Sequence, residues 1–315
     1  MDRRRFTRTL AALGAMVALK RPGGLDSHRP LPVRRLGATG LDVPILGLGG
    51  HHLGLAGSAA AAHRLVDVAF DEGIRFFDTA ESYQSGSSER WLGKALAGRR
   101  DGVVLMSKTF AFPERTAASA QRHLERTLTR LGVDYLDLWQ LHSVRSVADV
   151  DRAFGPGGAM EYLQQAKAQG LVRFVGVTGH ARPEANRRAI EHWDRGLHFD
   201  VMQLPINPMD YHQHSFQRAL LPELDRRHIG VVAMKTSADG RLLRDRLCTP
   251  RECLHYVWSL PVSVAVVGME RPELVRENAQ LAREFQPLAA AQLDALRARL
   301  APRARLDLEW YKQQD

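Results

Sequence analysis

The stretch GIRFFDTAESY, residues 73–83, begins with a short apolar run and continues into polar residues. A run of this length and composition predicts a buried β-strand that ends at Asp78. A carboxylate without a partner is costly in such surroundings, so we expect a cation from a neighbouring strand to compensate Asp78. Tyr83 follows five positions later, in the loop after the predicted strand.

The same pattern recurs along the chain. Eight apolar runs rich in Val, Ile, Leu or Phe occur at residues 43–49, 73–78, 102–107, 135–141, 172–178, 200–206, 229–235 and 264–268. Amphipathic segments lie between them, for example 59–73, 88–98, 119–132 and 160–170, and each of these four ends in a glycine that suits a helix C-cap. Because strands and helices alternate, the sheet is predicted to be parallel.

Eight such units predict an α/β fold of the (βα)8 or TIM-barrel type. Continuous apolar strands are typical of a sheet covered by helices on one face and filled by a packed barrel interior on the other. A doubly wound open sheet is less favoured, because no predicted strand is followed by Gly-x-Gly-x-x-Gly at a helix start. Residues 33–42 are expected to form a β-hairpin at the barrel bottom, and residues 287–315 an added C-terminal helix and tail.

Polar side chains stand at the ends of three successive predicted strands. Asp78 ends the second strand, Lys108 the third and His142 the fourth. The loops that follow the strands of a parallel barrel meet at one mouth, so these groups and Tyr83 are expected to lie together. Lys108 would then pair with Asp78 and lower the pKa of the Tyr83 phenol, making it a better general acid. His142 would orient a carbonyl oxygen or share its proton.

These residues occur in motifs that resemble those of the aldo-keto reductases. The motifs are DTAESY (78–83), SKT (107–109), DYLDLWQLH (134–142), MQLPIN (202–207), and Gly268 followed after eight residues by Glu277 and Asn278. The likeness extends from Val33 to about Gln286. Members of that family are (βα)8 barrels that reduce aldehydes and ketones with a nicotinamide cofactor and without metal. The resemblance therefore implies an NAD(P)H-dependent oxidoreductase that reduces the carbonyl group of a small molecule to an alcohol.

The resemblance also assigns roles to individual residues. Tyr83 is the expected proton donor, and His142 positions the substrate carbonyl. Asp78 and Lys108 tune the phenol. The residues implied in cofactor binding are Gly49, Gly50, Asp78, Thr178, Gly179, Gln203, Met234, Lys235, Gly268, Arg271, Glu277 and Asn278. NADPH is the expected cofactor, with NADH as the alternative.

Two strand ends depart from the family pattern near the nicotinamide. The family often has Ser-Asn after the fifth strand, where it bonds the carboxamide, but this chain has Thr178 and Gly179. One side-chain contact is therefore expected to be missing. Met234 stands where many members stack a tyrosine on the nicotinamide, so a thioether would pack there, and Lys235 would reach toward the pyrophosphate.

A third departure concerns the choice between NADPH and NADH. Arg271 matches a family residue that contacts the adenosine 2′-phosphate. The position three before Glu277 is often arginine in the family but is Leu274 here, and Arg276 would have to substitute for it.

Two other classes of protein remain as alternatives. Histidines at three strand ends (His51, His52, His142 and His180) suggest a metal-dependent hydrolase on the same barrel. The adjacent pair would point to opposite faces of an extended chain, and Gly268 stands where such a site wants an acid, so this class is less favoured. The residues His51, His52, Phe110 and Trp91 are instead expected in the pocket wall. A non-catalytic nicotinamide-binding redox sensor or partner subunit is the second alternative, since fold does not fix function.

Charge and the N-terminus bear on partners and location. The formal net charge is +9, but residues 1–35 contain nine Lys/Arg and two Asp, which leaves only +2 for the rest. This distribution argues against nucleic acid as a partner. Residues 1–32 are predicted to be a separate signal-like segment before the domain at 33–315. Arg3, Arg4, Arg5 and Phe6, followed by an apolar stretch at 10–19 too short to span a bilayer stably, resemble a twin-arginine export signal. A periplasmic location is expected, with the cytoplasm as the alternative.

The two cysteines, Cys248 and Cys253, are too few for a disulfide scaffold or a structural zinc site. We therefore expect two unpaired thiols without a special role. The sequence leaves the oligomeric state open.

Overall fold

The structure is a computed structural model that describes residues 29–110 and 112–313. The predicted export signal, with Arg3, Arg4, Arg5 and Phe6, lies outside the described residues and stays a prediction. Within the described ranges, no helix is both long and apolar enough to cross a membrane.

The molecule is a closed barrel of eight parallel strands with a small hairpin before it. The hairpin strands are β1 (Val33–Arg35) and β2 (Asp42–Pro44), and the barrel strands are β3 (Leu46–Gly49), β4 (Phe76–Asp78), β5 (Val104–Thr109), β6 (Leu136–Leu141), β7 (Val172–Thr178), β8 (Val201–Pro205), β9 (Gly230–Met234) and β10 (Val264–Val267). Each barrel strand pairs with its neighbour in chain order, and β10 closes the ring on β3. The predicted (βα)8 fold is therefore confirmed.

Helices connect the strands and cover the outside of the barrel. They are α1 (Gly50–Leu53), α2 (Ala59–Asp71), α3 (Ser87–Ala95), α4 (Ala117–Leu131), α5 (Val147–Phe154), α6 (Ala159–Ala168), α7 (Pro183–Asp194), α8 (Phe216–Arg226), α9 (Arg241–Arg244), α10 (Pro250–Trp258), α11 (Pro272–Arg283) and α12 (Ala290–Leu300). Short 3₁₀ helices lie at Gly37–Thr39, Tyr83–Gly86, Arg100–Gly102, Met209–Tyr211, Ala301–Arg303 and Leu306–Gln313. Side chains of Ser or Thr cap the first turns of several of these helices, as at Ser58 of α2 and Thr116 of α4.

Two layers of apolar side chains hold the barrel together. The larger layer lies between strands and helices and includes Trp139 and Trp258, both fully buried. The smaller layer fills the barrel interior and includes Phe76. Leu36 and Val43 of the hairpin segment belong to this interior layer, so the hairpin closes the end of the barrel opposite the strand C-termini, as predicted.

The structure differs from the prediction at the first strand. Residues 43–49 do not form one strand: Val43 and Pro44 belong to the hairpin, and only Leu46–Gly49 joins the barrel. Ile45 separates them, because its N–H donates to the Pro32 carbonyl (2.9 Å) rather than to a barrel neighbour.

Cys248 and Cys253 are free and buried, which confirms the expectation of unpaired thiols.

Candidate active site

A cavity of about 600 Å³ opens at the C-terminal ends of the barrel strands. Its wall includes Asp78, Tyr83 and His142, together with residues after β3, β9 and β10. This is the end of a parallel barrel at which the βα loops converge. The register places Asp78 beside Met106 and Lys108 beside Gln140, so the strands β4, β5 and β6 deliver their polar ends to one rim.

Lys108 is the centre of the hydrogen-bond network at this rim, and its side chain is 1% exposed. Its ammonium forms an ion pair with the Asp78 carboxylate and donates to the Thr79 carbonyl (2.8 Å) and the Tyr83 hydroxyl (3.3 Å). These three acceptors use all three N–H groups of the ammonium. The structure thus shows the cation that the buried end of β4 requires.

Tyr83 reaches Lys108 because the chain turns sharply after β4. Tyr83 begins a 3₁₀ turn in which Gln84 and Ser85 have φ values of 44° and 53°. Residues that carry a side chain rarely adopt this left-handed backbone conformation, so two consecutive residues in it indicate a strained turn. The Tyr83 ring contacts two imidazoles edge to face, His51 at 5.3 Å and His142 at 5.9 Å between centroids.

The electrostatics of Tyr83 correct one expectation from the sequence. Burial raises the pKa of the Tyr83 phenol above its ordinary value, although Lys108 acts in the opposite direction. The Asp78 carboxylate adds to the rise. Lys108 therefore acts in the predicted direction, but burial outweighs it and the net shift of the Tyr83 pKa is upward. The phenol keeps its proton at neutral pH, which is the form that a proton donor needs.

Burial and mutual attraction both shift the pKa values of Asp78 and Lys108. Burial raises the pKa of Asp78, while Lys108 and a hydrogen bond from the Gly50 backbone oppose the rise. Burial lowers the pKa of Lys108, but Asp78 and Tyr83 together outweigh it, so the net shift is upward. Lys108 accordingly remains a cation throughout the physiological range.

Three imidazoles of the cavity wall have lowered pKa values, which keep them neutral. Burial, assisted by the charge of Lys108, lowers the pKa of His142 well below its ordinary value. Burial also lowers the pKa of His51, and it lowers that of His180 to about 4, with Lys235 as the next cause. The Nδ1 atoms of His142 and His180 are buried without a hydrogen-bond partner in the described part of the chain. These neutral rings are suited to orient an uncharged polar group.

The residues implied in cofactor binding divide into two groups. Gly49, Asp78, Gln203, Met234, Lys235 and Gly268 line the cavity. Gly50 lies against the strand end, since a Cβ there would stand 2.1 Å from the Asp78 carbonyl oxygen.

The second group does not line the cavity. Thr178 accepts a hydrogen bond from the Ser143 backbone (2.8 Å). Gly179 packs against Asn186 on α7, since a Cβ there would stand 2.4 Å from the Asn186 Oδ1 atom. The remaining three, Arg271, Glu277 and Asn278, lie on or beside α11 outside the cavity wall. Their predicted contacts with a cofactor stay predictions.

The expected pocket-wall residues also divide. His51, His52 and Phe110 line the cavity. The two histidines do not point to opposite faces as an extended chain would require, because they belong to the helical turn α1. The expectation for Trp91 is wrong: it lies on α3 in a separate surface depression with His63.

Sequence reasoning missed the loop after β9. Thr236, Ser237 and Asp239 line the cavity there, and Asp239 pairs with Lys235 at 2.9 Å. Asp239 also accepts a hydrogen bond from Trp310 of the C-terminal segment (3.0 Å). The polar run TSADG directly after a predicted strand was the signal that could have identified this loop.

No cluster of three or more His, Cys, Asp or Glu that could hold a metal ion occurs among residues 29–110 and 112–313.

Comparison with known proteins identifies the class of this barrel. Residues 45–252 match the profile of the aldo/keto reductase family. A 6-dehydroglucose reductase from Novosphingobium aromaticivorans is 26% identical over 291 residues, which cover 81% of this chain and 92% of that enzyme. The solved holo structure of aldo-keto reductase AKR11C1 from Bacillus halodurans superposes with a TM-score of 0.72 at 25% identity and covers 85% of this chain and 96% of that one.

Other relatives match over shorter segments. The oxidoreductase YqkF from Bacillus subtilis, itself uncharacterized, is 27% identical over 218 residues, and the match spans 66% of its length. L-galactose dehydrogenase from Arabidopsis thaliana is 34% identical over 158 residues, which span 49% of its length. Fold, site and relatives together define a barrel oxidoreductase. The chain belongs to the aldo/keto reductase family.

Proposed function

We propose that this protein reduces an aldehyde or ketone to an alcohol with a nicotinamide cofactor, and that Tyr83 is the general acid. The observation that carries the proposal is the contact between the Lys108 ammonium and the Tyr83 hydroxyl (3.3 Å) at a rim where Lys108 is also paired with Asp78. A half-buried, protonated phenol at the mouth of the cavity can donate a proton to a carbonyl oxygen. As the phenolate forms, the adjacent ammonium stabilises its charge.

The neutral His142 supports the positioning of the carbonyl. Its ring lies edge to face with Tyr83 and with Phe110, at 5.9 Å and 5.8 Å between centroids. An uncharged imidazole can donate a hydrogen bond to a carbonyl oxygen without competing as a stronger acid.

The cavity residues fit a nicotinamide dinucleotide. Gln203 lines the cavity while its Oε1 accepts from Gln140 (3.1 Å), which leaves its amide N–H groups available to a carboxamide. Lys235 supplies a cation for a diphosphate, and Gly49 and Gly268 line the same cavity. When bound, the dinucleotide supplies the hydride. We propose NADPH as the cofactor, with NADH as the alternative. Arg271 and Arg276, at the start of α11, are the proposed cations for the 2′-phosphate.

The proposal is tested by the Tyr83→Phe variant. We expect it to lose turnover of 4-nitrobenzaldehyde by about 10²–10⁴-fold, the usual contribution of a positioned general acid. Turnover is followed by oxidation of NADPH, and in parallel by oxidation of NADH. Cofactor affinity, measured by calorimetric titration, should be unchanged.

Tyr135→Phe is the matched control, because Tyr135 precedes β6 and stacks on Arg100 outside the cavity. It should retain full activity. An active Tyr83→Phe enzyme would refute the assigned donor. Tight cofactor binding by the wild type without turnover of any carbonyl compound would favour the redox-sensor alternative, and chelator-sensitive hydrolysis without reduction would favour the hydrolase.

A further inference from the structure

A second cavity lies beside the first, and one residue belongs to both walls. The second cavity measures about 780 Å³ and is formed by the loops and helix starts that follow β5, β6, β7 and β8. Arg145, in the loop after β6, lines this cavity and also the cavity that contains Tyr83 and His142. Arg145 therefore stands between the two spaces and faces both.

The Arg145 guanidinium is held by aromatic rings rather than by a carboxylate. It lies 4.3 Å from the Phe112 ring centroid and 5.5 Å from that of Phe110. Within the part of the chain that the structure describes, its side chain makes no ion pair and no hydrogen bond. A guanidinium stacked in this way keeps its in-plane N–H groups directed outward for an anion.

The carboxylate that contacts the Arg145 backbone, Asp149, is already neutralised. Asp149 accepts a hydrogen bond from the Arg145 backbone (3.0 Å), but its two oxygens receive Arg115 at 2.8 Å each. Arg115 is fully buried, so this bidentate pair is fixed. Asp149 thus holds the loop in place and leaves the charge of Arg145 uncompensated.

The rest of the second cavity is also cationic. Its wall carries Arg152 and Arg182 in addition to Arg145, against Glu184 and the already paired Asp149. Arg182 has a histidine, His214, as its hydrogen-bond partner (2.8 Å). An excess of one charge sign in a concave wall concentrates ligands of the opposite sign.

A row of rings connects the phenol with the cation. Tyr83, His142 and Phe110 follow one another edge to face, with centroid spacings of 5.9 Å and 5.8 Å, and Arg145 comes next at 5.5 Å. A flat or apolar body placed along this row would have one end at the proton donor and the other at the guanidinium.

We propose that Arg145 sets the substrate class: the enzyme prefers carbonyl compounds that carry a carboxylate or another anionic group at the end remote from the carbonyl. This inference rests on the proposed reduction at Tyr83. Arg145 binds the anion, while the carbonyl lies at Tyr83 and His142. Arg152 and Arg182 add to the attraction without contacting the group.

The test compares acids with their methyl esters. The probes are 4-carboxybenzaldehyde and the longer 4-formylphenoxyacetate, each paired with its methyl ester, so that carbonyl and ring stay the same while the charge is removed. For at least one pair we expect the wild type to show a kcat/KM about tenfold higher for the acid, as for a partly exposed charged hydrogen bond. Added salt should reduce this preference but not the turnover of the ester.

The variants separate recognition from structure. Arg145→Gln should remove the preference, mainly by raising KM for the acid about tenfold. Arg145→Lys should keep part of it. Arg126→Gln is the control with the same change of net charge, because Arg126 is an exposed residue of α4 that lines neither cavity. It should behave as the wild type.

The failures are distinguishable. If the wild type reduces the esters as well as or better than both acids, or if Arg145→Gln keeps the acid preference, the inference is overturned and the proposed reduction stands. If neither acids nor esters are reduced with either cofactor, the proposed function fails and the inference with it.

Discussion

Replacing Asp78 by asparagine tests the physical basis of the site. The change keeps the shape of the side chain but removes the negative charge beside Lys108, and the two side chains are only 5% and 1% exposed. Removal of one partner of a buried ion pair costs about 3–5 kcal/mol. Thr79 and Tyr83 still accept hydrogen bonds from the ammonium, so we expect the lower end, about 3 kcal/mol in the free energy of unfolding.

The loss is measured by urea denaturation followed by tryptophan fluorescence, and its pH dependence identifies the cause. In the wild type the pKa of Lys108 is raised, so the stability from the pair is complete below the ordinary lysine pKa and is lost only above it. In Asp78→Asn, burial would instead lower the Lys108 pKa. The folded variant would then bind fewer protons than the unfolded chain, and its stability would rise with pH. The difference in the free energy of unfolding between the wild type and Asp78→Asn should therefore narrow from about pH 7 to about pH 10.

Two further variants complete this test. Asp42→Asn removes one partner of the exposed Arg35–Asp42 pair (3.4 Å) and should cost less than about 1 kcal/mol. Asp78→Asn combined with Lys108→Met removes both buried charges and should recover most of the lost stability. A loss below about 1 kcal/mol in Asp78→Asn, or a double variant no more stable than the single one, would refute the reasoning.

Two other predictions concern the same rim. Gly50→Ala should destabilise the protein and displace Asp78, because the new Cβ would stand 2.1 Å from the Asp78 carbonyl oxygen. Gly102→Ala is the control and should be nearly neutral, because its Cβ would have only one contact, at 4.0 Å. Thermal denaturation compares the two variants, and equal melting temperatures would contradict the steric argument. Burial lowers the pKa of His180 to about 4, so its proton NMR signals should not titrate between about pH 8 and about pH 5. Because the folded state binds fewer protons than the unfolded one, the wild type should lose stability relative to His180→Gln as the pH falls from about 6.5 toward 4, and a His180 that titrates near its ordinary pKa would show that the ring is not buried.

The barrel was predictable because each strand and helix has its own local signal. β7 coincides with the predicted run 172–178, and α4 begins at the cap Thr116 and ends at the glycine of the predicted segment. The same reasoning identifies Asp78, Lys108 and His142, because the C-terminal ends of all strands in a parallel barrel lie at the same end of the barrel. Their grouping follows from topology, which the alternation of elements already implies.

What could not be predicted depends on packing between distant segments. The direction of the Tyr83 pKa shift is decided by the rings of His51, His142 and other residues that bury the phenol, and no local pattern reports burial. The helical turn at His51 and His52 is too short to show a period. Arg145 was missed because its lack of a counter-ion results from Asp149 being occupied by Arg115, which lies 34 positions away in the chain.

The closure of the ring between β3 and β10 has a consequence for biosynthesis. Leu46 lies opposite Ala265, so β3 keeps an unpaired edge until nearly the whole domain has left the ribosome. Such an edge is a template for association with other chains. The strands β4, β5 and β6, which carry Asp78, Lys108 and His142, are by contrast neighbours in both sequence and space and can pair early. A chain arrested midway would therefore be an aggregation-prone half-cylinder rather than a weak enzyme, and its fate would depend on how quickly a chaperone covers the open side.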